Sequence, residues 1–168
     1  MTIHFSDSSS IATGKIVNSA YLVDRKNQNT NGGTATGGGH YQRDLNTIVY
    51  DSGMSISISS NSFTIPNAGT YVIEWSAPAH RCDNHTCRLR QSSPTDVSHG
   101  EGHNEYTSSS TSVSNRSFGV ARVVQTQSHT YKLMHRVATT KSSNGFGVAS
   151  NNHANHDQYS WVRIYQEA

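Results

Sequence analysis

Ten histidines stand beside only eleven acidic residues in this 168-residue chain, and two groups of them are spaced for chemistry. The first is His80-Arg81-Cys82-Asp83-Asn84-His85-Thr86-Cys87. On extended backbone, residues two apart share a face, so His80 can point with Cys82, and His85 with Cys87 across a tight hairpin. Two imidazoles and two thiolates suit tetrahedral zinc. The gap between Cys82 and Cys87 equally permits a disulfide, provided the Cα atoms approach within about 7 Å. Two buried free thiols are the third outcome, since cysteine also behaves as a small hydrophobe. The second group is His99, Glu101, His103 and Glu105, which would share one side of an extended segment as a transition-metal set. Gly100 and Gly102 favour an exposed polar loop there instead. The simpler expectation is that neither group holds a metal and that no cofactor is required.

No catalytic constellation accompanies these residues. His153, His156 and Asp157 fall in an Asn-rich run with no nucleophile in a defined turn. The chain contains no Gly-x-Ser-x-Gly elbow, phosphate loop or metalloprotease helix motif. The expectation is a non-enzyme. Among the aromatics, Trp75 and Trp161 sit in alternating segments and read as core or interface anchors. Tyr41, Tyr106 and Tyr159 lie near loops and are better placed to stack on a glycan. Arg81, Arg88, Arg90 and Arg136 flank strands, where pairing with Asp83 or an interchain carboxylate is expected.

The elements that must carry these residues are strands. Only 33% of the chain is hydrophobic, while Ser, Thr and Asn make up a third of it. Low hydrophobicity alone would favour disorder, but disordered chains are also charged and poor in aromatics. This chain has a net charge of +2, eight Tyr, four Phe and two Trp. Tyr71, Ile73 and Trp75 alternate with Val72, Glu74 and Ser76, the period of a half-buried strand. Similar segments occur at 15–23, 46–50, 55–59, 63–65, 85–90, 118–124, 131–137 and 161–165. Gly- and Asn-rich loops at 27–39 and 142–157 separate some of them. No window shows the helical period. Residues 1–14 read as an N-terminal arm and 15–168 as one β-sandwich or jelly-roll domain. The small net charge, without a Lys/Arg cluster, gives no nucleic-acid footprint, and no segment is long and apolar enough to insert in a membrane.

Several ordered motifs carry a more specific likeness: Arg43-Asp44-Leu45-Asn46-Thr47, Phe63-Thr64-Ile65-Pro66-Asn67-Ala68-Gly69-Thr70-Tyr71, Ser76-Ala77-Pro78-Ala79, His135-Arg136 and Asn144-Gly145-Phe146-Gly147. Together they resemble bacteriophage tail-fibre and virion knob domains of the tumour-necrosis-factor/complement-like jelly-roll type. The resemblance implies an all-β jelly-roll sandwich assembled as a compact homotrimer used for recognition. It fixes no receptor-binding residue. The face of Tyr131, Leu133, His135 and Val137 is expected to meet partner copies.

The function this implies is a phage virion structural protein, a trimeric knob displayed for host attachment. The arm would hold another virion protein, and the loops would meet a host polysaccharide or outer-membrane component. The alternatives are a capsid or tail decoration or capping protein without receptor binding, and a secreted lectin-like module. If several histidines are buried and neutral, acid should weaken the assembly.

Overall fold

The computed structural model describes residues 2–4, 10–12, 16–91, 96–99, 113–153 and 155–168. Thirteen strands form among them, and no helix. In chain order they are β1 (Thr2–His4), β2 (Ser10–Ala12), β3 (Ile16–Asn27), β4 (His40–Gln42), β5 (Thr47–Ser52), β6 (Ser57–Ser59), β7 (Ser62–Ile65), β8 (Gly69–His80), β9 (His85–Gln91), β10 (Asp96–His99), β11 (Ser114–Gln125), β12 (His129–Val137) and β13 (His156–Glu167). β1 and β2 pair with each other. The rest build two antiparallel sheets, one ordered β11-β8-β13-β3-β5 and the other β10-β9-β12-β7-β6, with β4 also on β12.

Alternation explains which side of each strand is buried. On β8, Tyr71, Ile73, Trp75 and Ala77 are buried between the sheets. Leu22 of β3 and Val162 and Ile164 of β13 join them from the same sheet. The opposing sheet supplies Phe63, Ile65, Cys87, Leu89, Tyr131 and Leu133. Trp75 donates its indole N–H to the Cys87 carbonyl across this core at 3.1 Å, which satisfies the one polar atom of its largest side chain.

The two-sheet, helix-free architecture is the one expected from the sequence, and most strands fall where the alternation places them. One expectation is overturned. Tyr131, Leu133, His135 and Val137 do share a face of β12, but all four are buried within the chain, at 2%, 0%, 0% and 1% exposure. That face packs against the other sheet, so no partner copy can cover it.

β11 departs from the usual rule. Its pairing with β8 sets Ser117 opposite Ala77, Gly119 opposite Trp75 and Ala121 opposite Ile73, all on the inner face. The large apolar residues Phe118, Val120 and Val124 therefore point outward, at 44%, 59% and 69% exposure. The small inward positions lie opposite Ala77, Trp75 and Ile73 of β8, and farther along the strand Val123 and Gln125 are buried.

Candidate functional site

One end of the sandwich encloses a polar stack instead of an aliphatic core. Arg43 follows β4 and is 1% exposed. Its guanidinium donates to the Pro78 carbonyl at 3.2 Å and the Phe146 carbonyl at 2.9 Å, and lies 4.0 Å over the Phe146 ring. Desolvation brings its pKa down to about 10, so it stays charged at neutral pH. The Phe146 ring stacks on His135 at 5.5 Å and 13°. His135 Nε2 and His85 Nδ1 share a hydrogen bond at 3.0 Å, and His85 Nε2 bonds Asn115 Oδ1.

This chain of bonds fixes the protons. The Asn115 oxygen only accepts, so His85 donates from Nε2 and, while neutral, accepts at Nδ1 from His135 Nε2–H. The remaining nitrogen, His135 Nδ1, is then a bare lone pair, and it has no hydrogen-bond partner among the described residues. Burial, reinforced by Arg43, His85 and His40, holds the His135 pKa well below the ordinary imidazole value. The stack's two imidazoles are built to stay neutral. It offers no nucleophile and no open face for a substrate.

The residues of the first histidine-cysteine group scatter around this end. Arg81 and Asp83 adopt left-handed conformations (φ 53° and 57°) between β8 and β9, and this turns the four side chains apart. His80 Nδ1 bonds Ser114 Oγ at 2.8 Å. Cys82 Sγ donates to the His80 carbonyl at 3.1 Å and packs with Ala35, Ala79, Val137 and Phe146. Cys87 belongs to the main core, and burial pushes its thiol up to about 12. Cys82 and Cys87 are both buried, in separate clusters and without a bridge in this structure, and no metal-ligand cluster of three or more occurs among the described residues. Glu101, His103 and Glu105 of the second group lie outside the described residues, as does Tyr106, and of His99 only the backbone, in β10, is described. Asp157 is consumed by structure, accepting from Ser150 N at 2.7 Å and Thr30 N at 3.2 Å. Tyr159 is buried, donating to the Thr30 carbonyl at 2.6 Å, and cannot stack on a glycan; Tyr41 is 40% exposed.

The exposed surface with the most binding chemistry is the outward face of the five-stranded sheet, which sequence reading did not single out. Strand registers line up Tyr50, Tyr21, Arg163, Glu74 and Val120 in one row across all five strands. The next row runs Val23, Trp161, Ser76 and Phe118, and the one on the other side Ser52, Ser19, Tyr165, Val72 and Arg122. Four rings form a chain across the sheet: Tyr50 to Tyr21 at 6.2 Å, Tyr21 to Trp161 at 6.4 Å and Trp161 to Phe118 at 6.5 Å. The Arg163 guanidinium lies over Tyr21 and Trp161, 5.3 and 5.1 Å from their centres. Aromatic rings and arginine are residue types enriched at protein interfaces. The signal for this face was present in the alternation of Trp161 with Val162 and of Phe118 with Gly119; what alternation cannot say is which phase faces inward.

No family profile matches the sequence, and no curated protein does. Solved structures do share its fold. Murine APRIL aligns over 89% of this chain and 98% of its own, with a TM-score of 0.56 at 8% identity. The Eiger TNF of S. frugiperda aligns over 89% and 92%, with a TM-score of 0.53 at 8% identity. The globular domain of zebrafish complement 1qA aligns over 89% and 96%, with a TM-score of 0.52 at 14% identity. The chain is thus an all-β jelly roll of the tumour-necrosis-factor/complement type, a statement of fold alone.

Proposed function

We propose that the protein is a non-enzymatic binding module that works as a homotrimer closed through the outward face of its five-stranded sheet. The observation that carries this reading is the inverted strand β11, which exposes Phe118, Val120 and Val124 while turning the small residues Ser117, Gly119 and Ala121 inward. Beside them the rings of Tyr21, Tyr50 and Trp161 extend the patch across the sheet. A contiguous apolar surface of this kind marks an interaction site, and closed symmetry is the default solution for identical chains. The jelly-roll family that the sequence motifs resemble forms homotrimers.

Sedimentation velocity at micromolar concentration tests the assembly. The expected species is a trimer, and Phe118→Arg is expected to shift it to monomer while leaving the thermal melt of the isolated chain cooperative. A wild-type protein that sediments as a monomer sinks the reading.

On the finer question of setting, the proposal is a knob displayed on a phage particle for host attachment. Its support is the ordered run of motifs from Arg43 through Gly147. Mass spectrometry of purified virions tests display, and absence of the chain from them dismisses it. Binding of labelled protein to host cells then separates adhesion from decoration: protein that binds stripped virions but not cells is a decoration or capping protein.

A further inference from the structure

We propose that, in the assembled trimer, the Glu74 carboxylate of each copy is paired by the Arg163 guanidinium of the neighbouring copy. This rests on the trimer reading given above and adds a partner residue to it. Glu74 and Arg163 are directly opposed on β8 and β13, in the middle of the row that crosses the sheet from Tyr50 to Val120. Glu74 is partly buried there, with Val120 on one side and Arg163 on the other. Although the two are cross-strand neighbours, they do not form an ion pair within the chain, and Glu74 has no cation partner among the described residues. Arg163 turns the other way, onto Tyr21 and Trp161.

A second copy laid on this face strips water from Glu74. An ionised carboxylate buried without a counter-charge is strongly unfavourable, so the interface needs a cation at this point. The described arginines on the two strands flanking Glu74 are Arg116 and Arg122 of β11 and Arg163 of β13. Arg122 is committed to Glu167 through three N–H···O contacts of 2.7–3.0 Å. Arg116 donates to Ser76 Oγ at 2.7 Å and to the Tyr159 carbonyl. Among the described residues Arg163 is engaged only by the Tyr21 and Trp161 rings, so its N–H donors remain for a carboxylate. Three-fold repetition then gives three carboxylates and three guanidiniums, a neutral set whose geometry selects one rotation of copy against copy. Such pairs contribute specificity of register more than raw affinity.

The full-length chain tests this in two ways. Glu74→Arg and Arg163→Glu are each expected to raise the trimer dissociation constant by about 30-fold or more, and the double reversal to recover most of that loss. Separately, Arg163→Lys protein is treated with a carbodiimide, which condenses touching carboxylates and amines into amides with loss of water. Denaturing gels are expected to show covalent dimers and trimers, with the linked peptide joining positions 74 and 163. If the wild type is trimeric but the double reversal recovers nothing, or the 74–163 link appears only within monomers, the pairing is wrong and the trimer stands. A monomeric wild type overturns both.

Discussion

At the scale of single residues, the buried histidines are built for neutrality, and that has a pH signature. His135 is 0% exposed, its Nδ1 is unpartnered among the described residues, and the groups facing it are Arg43, His85 and His40. A proton on Nδ1 would find no acceptor and would sit beside a buried guanidinium. Desolvation also lowers His80, helped by Arg81 and Lys141. Both groups have folded values below the unfolded value of about 6.5. Above about pH 6.5 they are neutral in both states and stability is unaffected. As pH falls below that value the unfolded chain takes up protons that the native state refuses, and stability declines by up to about 1.4 kcal/mol per pH unit for each group. Urea midpoints at pH 8 and pH 5 should therefore differ, and His135→Gln should flatten the slope whatever it does to the midpoint at pH 8. Equal wild-type midpoints at the two pH values would dispose of this account.

At the scale of elements, the loops are as tightly fitted as the sheets. Gly147 has φ +140°, and a Cβ there would fall 2.0 Å from the Tyr159 ring. Its carbonyl accepts from Gly32 N at 2.9 Å, so the loop before β13 is fastened to the loop after β3. Gly147→Ala should cost about 2 kcal/mol or more, from ring displacement and backbone strain together, read as a lowered urea midpoint. A change under about 0.5 kcal/mol would show the loop to be loose. The sequence disclosed β8 because Tyr71, Ile73 and Trp75 are large and buried on one phase. It disclosed β11 as a strand but not its orientation, because hydrophobic alternation is symmetric under a one-residue slip and only the neighbouring Trp75 decides the phase. β4 was not legible: His40-Tyr41-Gln42 has no apolar alternation and is a strand only because β12 offers it a partner. The polar stack was equally hidden. Arg43 and Phe146 are 103 residues apart in sequence, and nothing local marks either as a member of a buried network. The cysteine spacing was legible but ambiguous; the fold places Cys82 and Cys87 in separate buried clusters on either side of a turn with two left-handed residues.

At the scale of the whole molecule, the two sheets divide the work. One end holds neutral histidines and a buried arginine, and one broad face carries rings and a single central carboxylate. The hydroxyl- and amide-rich composition then describes the surface left over, which carries no cluster of three or more potential metal ligands among the described residues. The same topology has a kinetic consequence. β13 lies between β3 and β8, joined to β3 along most of its length and to β8 from Trp161 to Gln166. The five-stranded sheet therefore cannot close until its last strand, well over a hundred residues from β3, has arrived. Such long-range pairing makes for slow folding, in milliseconds to seconds for domains of this class, and β3 and β8 present open edges meanwhile. Refolding from urea should show no submillisecond phase that recovers Trp75 burial, and a nascent chain arrested before His156 should be digested by protease at β3 and β8 alike. Resistance of that arrested chain would mean that the first sheet assembles without its centre.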